Sequence, residues 1–113
     1  MTDLQDQISQ VELTIEYAEE RVALRNSLIA LNNDPKFKKI IDQGYFVDTA
    51  SRLVLLKADP SLQSKEDQLD IIKRIDAVGY FRQYLSSIIM EGNSAERALK
   101  ADRETLEELR AEA

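Results

Sequence analysis

The stretch "IIKRIDAVGYFRQYLSSIIMEGNSAERALKADRETLEELRAEA", residues 71–113, decides the fold. Ile71, Arg74, Val78, Phe81, Leu85, Ile88, Gly92, Ala95, Leu99, Asp102, Leu106, Leu109 and Ala113 follow one another at steps of three and four. That spacing places them on one helix face and is the mark of a coiled coil or a long bundle helix. Gly92-Asn93 offers a place to break, with Ser94 as a new N-cap. The phase does not slip across it, so a helix over about 65–112 is expected, with a break at 92–93 as the rival.

One apolar seam needs another. Leu4, Ile8, Val11, Ile15, Ala18, Val22, Arg25 and Ile29 repeat the same steps near the start of the chain. Thr2 followed by Gln5 has capping-box spacing, so this helix should begin at Thr2 or Asp3 and run to about 32. Between the two seams lie both prolines, and Pro35 and Pro60 mark turns. Asp34 should cap a short helix over about 35–43 that carries Pro35 in its first turn. Gly44 follows it where a left-handed residue closes a helix. A second short helix is expected over about 48–58, capped by Asp48 or Thr49. Ser64 should cap the long last helix. Six of the seven aromatics fall between Phe37 and Tyr84, so the thick core belongs there.

The expected architecture over 1–113 is a single all-α domain. Two long helices form an antiparallel coiled-coil-like stalk, and two short helices inserted between them make a compact helical head. The composition agrees. Three glycines and two prolines in 113 residues leave few turns, and 32% of the residues are charged.

The chemistry is mostly one of exclusion. With no His and no Cys, the common general base, the thiol nucleophile and the soft metal ligands are missing. Glu16/Glu20 and Glu104/Glu108 have helical spacing for a hard cation but read as solvated surface. No glycine-rich phosphate loop occurs. The expectation is therefore no enzyme, no cofactor, no metal and no small-molecule substrate. The net charge of −6 speaks against direct nucleic-acid binding. No apolar run reaches the ~20 residues of a membrane span, and the acidic start does not read as a secretory signal.

Protein partners remain. Arg25, Arg74 and Asp102 interrupt the seams. Either their polar ends reach water at the helix edge, or they select register and partner, with Asp102 facing Arg25 or an arginine of another subunit. Tyr80 and Tyr84 lie four apart beside the seam, as half-buried packing or as an aromatic contact patch. Phe37 stands among Lys36, Lys38 and Lys39, and if exposed would meet an acidic partner. Gly79 sits inside a predicted helix at a cost of about 1 kcal/mol relative to Ala. Close approach of a neighbouring helix or a partner would compensate.

Several of these segments together resemble a known group. Asp34-Pro35-Lys36-Phe37-Lys38-Lys39, Gly44-Tyr45-Phe46, Leu55-Leu56-Lys57-Ala58-Asp59-Pro60 and Phe81-Arg82-Gln83-Tyr84-Leu85 are similar to motifs of small helical proteins encoded among the virion-assembly genes of tailed bacteriophages. The first departs in having Asp-Pro in place of Asn-Pro. The resemblance implies a structural or assembly role without catalysis. The partners would be further copies of the chain and a phage structural protein. The place would be the cytoplasm of a bacterial host or the virion. A rival expectation is a small acidic inhibitor, in which Glu12, Glu16, Glu19 and Glu20 imitate phosphates in a host protein's groove. A host helical adaptor is a third.

Overall fold

A computed structural model describes residues 3–113, and the structure is all-α. Helix α1 spans Leu4–Asn32. Asp3 caps it, accepting the Asp6 N–H at 2.8 Å, while Thr2 lies outside the described residues. The Asp34 carboxylate accepts from the backbone N–H of Lys36 at 2.7 Å and of Phe37 at 3.4 Å, and starts α2, Pro35–Phe37. A π-helical stretch, Lys38–Thr49, follows and passes directly into α3, Ala50–Ala58. A 3₁₀ turn over Pro60–Leu62 leads to α4, Lys65–Glu112. The Ser64 hydroxyl accepts the Asp67 N–H at 3.0 Å at its start. Helix α4 runs unbroken through Gly92 and Asn93.

The chain divides into two compact units. The first holds the residues up to Ile29 together with Ser87–Ala113, and pairs α1 with the second half of α4. Ile15 and Ala18 pack with Ala95 and Leu99, flanked by Val11, Val22 and Leu106. The helices are antiparallel. Glu12 pairs with Arg110 at 3.1 Å, Glu19 with Arg103 at 3.2 Å and Arg25 with Glu96 at 2.8 Å. As one number falls the other rises. Exposed pairs of this kind add little stability each, but together they mark the register. The α1 seam holds to Arg25 and then moves to Leu28, which is buried, while Ile29 is 45% exposed.

The second unit is Ala30–Ser86. Here the structure corrects the sequence-based division into short helices over 35–43 and 48–58. Gly44 has no positive φ and ends nothing. Residues 35–58 form one continuous helical segment, and neither Asp48 nor Thr49 is a cap. Backbone bonds five residues apart make the wide π turns, as from the Ala50 N–H to the Tyr45 carbonyl. Side chains span the same interval: the Thr49 hydroxyl donates to the Gly44 carbonyl at 2.9 Å, and Gln43 Nε2 donates to Asp48 Oδ1 at 2.9 Å. Long π stretches are rare and recur at functional sites. This one is anchored by aromatic rings. Phe46 stacks on Phe81 of α4 at 5.6 Å, and Tyr45 meets the same ring edge-on at 5.9 Å. The two Gly-Tyr-Phe tripeptides, which occur in unlike local settings, thus pack on each other. On α4 the inward residue of this region is Ile75 and not Arg74, which is 64% exposed and bonds Asp70 at 3.0 Å.

Burial is thin. The chain exposes 8362 Å². Among the described residues nine hydrophobic side chains are buried, while fourteen large ones stand exposed.

Candidate functional site

Two places combine unusual geometry with residues singled out by the sequence. The first lies in the pair of α1 with the second half of α4. Arg25 is buried on the seam. Its stem lies across Gly92. A Cβ at that position would overlap Arg25 Cβ and stand 2.8 Å from Cγ and Cδ. The missing side chain of Gly92 lets α1 approach, and the guanidinium then reaches past it along α4. Nη1 donates to Asn93 Oδ1 at 2.9 Å and to Glu96 Oε2 at 2.8 Å, and Nη2 donates to Asn26 Oδ1 at 2.9 Å. A buried charge is tolerated when it is paired and hydrogen-bonded in this way. The hydrogen bond from Arg25 holds the Glu96 carboxyl below the usual carboxylate range, helped by the charge of Arg25.

This arrangement corrects one expectation. Asp102 does not face Arg25. It is half-buried on the seam, in no ion pair among the described residues. The sequence held a signal for the true contact, since the α1 seam carries an oversized residue, Arg25, and the α4 seam a residue with no side chain, Gly92. A bulky residue opposite an absent one is a fit. Close beside it, Arg21 lies over the Tyr17 ring at 4.3 Å, hydrogen-bonds the Tyr17 hydroxyl and pairs with Glu91 at 3.2 Å.

The second place is the outer face of α4 in the inserted unit. Tyr80 is 67% exposed and Tyr84 58%, with Leu69 and Ile72 exposed on the same side of the helix. Gly79 lies among them. A Cβ built there meets nothing within 4 Å. The close approach expected at Gly79 is thus not made within the chain, and the glycine that needs one is Gly92. Phe37 is half-buried, so it is not the exposed ring among lysines that an acidic partner would require. The structure gathers Gly79, Tyr80 and Tyr84 on one surface and leaves Arg25, Asp102 and Phe37 elsewhere.

The same unit buries only Leu53 and Ile71, while Ile40, Val47, Val54 and Leu55 stand exposed alongside the α4 residues. Among the described residues no cluster of acidic side chains is arranged to hold a metal ion. No helix there is long and apolar enough to cross a membrane. What the surface offers is apolar area and aromatic rings, which is chemistry for contact with protein. Comparison with protein-family models, with curated proteins and with solved structures finds no match for this chain.

Proposed function

We propose that this chain is a non-enzymatic assembly protein that works through helix–helix contacts with other protein chains, its own copies among them. The observation that carries the reading is the surface of the inserted unit, where Ile40, Val47, Val54, Leu55, Leu69 and Ile72 stand exposed while Leu53 and Ile71 alone are fully buried. Apolar surface of that kind marks an interaction site when it is contiguous. The resemblance to small helical proteins of tailed-phage virion assembly supplies a setting. In it, the further partner is a structural protein of the particle, such as capsid or portal, met in the host cytoplasm or the virion.

The test is direct. Light scattering and sedimentation across micromolar concentrations should give a mass above that of one chain. A strict monomer at every concentration opposes the reading. Mass spectrometry of purified particles addresses the setting. Many copies per particle support a virion component, and absence leaves an assembly factor that departs.

The acidic-inhibitor reading has less to stand on. Two of its four carboxylates are engaged, Glu12 by Arg110 and Glu19 by Arg103. Binding to a basic host protein that vanishes above ~0.3–0.5 M salt would revive it, because exposed charge contacts are screened there.

A further inference from the structure

A cleft of about 270 Å³ opens within the inserted unit, between α3 and the first half of α4. On the α3 side it is lined by Arg52, Leu53 and Leu56, which share one helix face at steps of one and three. Leu53 is buried and Leu56 half-buried, so the floor is apolar. Tyr45 of the π-helical stretch stands at one end, its ring held edge-on by Phe81 at 5.9 Å. On α4 the lining is Arg74 and Ala77, about one turn apart. Ala77 is the small residue of the set, and a longer side chain there would occupy the space.

The charge of this lining is opposite to that of the chain. The sequence holds 21 acidic and 15 basic residues. The cleft is lined by two arginines, one from each helix, and by no Asp or Glu. Arg52 makes no ion pair or hydrogen bond among the described residues. Arg74 meets Asp70 at 3.0 Å, one turn back along α4, with both side chains largely in water. An exposed pair of that kind is weak and yields to a better anion. A guanidinium presents a planar fork of donors that matches a carboxylate with two parallel hydrogen bonds. Beneath the two forks lies apolar surface, which suits the body of a ligand rather than its charged end.

We propose that this cleft binds a small aliphatic carboxylate. The carboxylate is held by Arg52 and Arg74, and the carbon chain lies on Leu53, Leu56 and Ala77 beside the Tyr45 ring. The size sets the length of that chain. One water takes roughly 30 Å³ of the liquid, so the cleft has room for about nine such volumes. A carboxylate on a chain of roughly six carbons fills it. The site lies wholly within the inserted unit and does not depend on the assembly reading above.

Sodium hexanoate is the probe, titrated into the whole chain at physiological ionic strength. Methyl NMR follows Leu53, Leu56 and Ala77, and the Arg52 Nε–H signal reports on the charged end. These signals should shift together and saturate. The neutral analogue 1-hexanol should bind roughly tenfold more weakly, the loss expected for a charge-assisted hydrogen bond. Hexanoate should lose about as much on Arg52→Gln. Ala77→Leu should abolish binding by filling the cleft. Arg52 and Ala77 are both exposed, so helical circular dichroism should be unchanged in either variant. Equal affinity for hexanoate and hexanol overturns the role of the arginines. Shifts that do not saturate and that spread to the exposed Leu13 and Leu24 are general adsorption, and overturn the site. Poly-glutamate carries carboxylates without the longer apolar chain and should not displace hexanoate. Displacement overturns the small ligand and gives the cleft to an acidic protein segment. None of these outcomes bears on the assembly reading, which light scattering tests separately.

Discussion

The stem of Arg25 lies over Gly92, so close that a methyl group at position 92 would overlap Arg25 Cβ. The contact joins α1 and the second half of α4 where an oversized residue on one seam meets a missing side chain on the other. It sets their spacing and aims the guanidinium at Asn93 and Glu96.

Gly92→Ala is therefore expected to destabilise the chain, against the usual preference for Ala in helices. Propensity favours the change by about 1 kcal/mol. Overpacking costs roughly 1–3 kcal/mol, and it wins here because the clash is with a Cβ, which cannot swing aside. Urea denaturation measures the difference. Adding Arg25→Ala should not rescue the variant, since the alanine keeps the clashing Cβ. Adding Arg25→Gly should recover part of the loss. Full rescue by Arg25→Ala would show that the long side chain, not the backbone approach, sets the fit.

A second consequence is a dependence on acid. The folded-state pKa of Glu96 is lowered by the hydrogen bond from Arg25. The contribution of that bond is fully present above the unfolded value, about 4.3. It is lost as pH falls through the lower folded value. The NMR titration of the Glu96 carboxyl should show a midpoint below that of free Glu. Glu96→Gln should flatten the fall in melting temperature across that window. A titration at the ordinary Glu value would remove this account.

These features mark how far the sequence could be read. The seam of α4 from Phe81 to Leu109 was legible, because a repeat that long has one helical solution and its phase runs through Gly92. So were the caps at Asp34 and Ser64, which are local chemistry. The partner of Arg25 was not legible, since register between helices depends on which misfit meets which across the seam. Gly44 misled for a different reason. Its neighbours carry the signature of a helix end, but Tyr45 and Phe46 are held on Phe81, some 35 residues away, and the backbone widens into a π helix instead of stopping. The outer face of α4 was half legible. The sequence singled out Gly79, Tyr80 and Tyr84, and only the structure showed the space over Gly79 to be empty.

Gly79→Ala should act in the opposite sense to Gly92→Ala on the fold itself. A Cβ at position 79 meets nothing, so the gain in helix propensity, about 1 kcal/mol, stands alone. Denaturation in dilute solution should show it. If another chain packs closely at Gly79, the same variant associates more weakly although each chain is more stable. A variant both more stable and equally associated would show that no chain packs there.

Within the inserted unit, Phe81 ties the π-helical stretch to α4 through its contacts with Tyr45 and Phe46. Phe81→Ala removes the ring that both others touch. Full burial would make the loss ~3–5 kcal/mol. Phe81 is only half-buried, so about 2 kcal/mol is expected. Hydrogen exchange should locate the damage in 38–49, where the π helix loses its anchor, and leave Ile15, Ala18, Ala95 and Leu99 with their native protection. Equal loss of protection in both units would mean that they unfold as one.

Asp102 stands half-buried between Leu99 and Leu106 on the seam of α4. It makes no ion pair or hydrogen bond among the described residues, so its carboxylate is satisfied by water or by another chain. The two cases separate cleanly. Asp102→Leu restores the apolar repeat and replaces a weak helix former with a strong one. If water is the only partner, the variant should melt higher by an amount worth about 1 kcal/mol, and association should not change. If an arginine of another copy is the partner, the leucine strands that charge, and association should weaken several-fold even as the two-helix unit gains. The first outcome is expected, because Arg21, Arg25, Arg103 and Arg110 of the same unit each already pair with a carboxylate of their own.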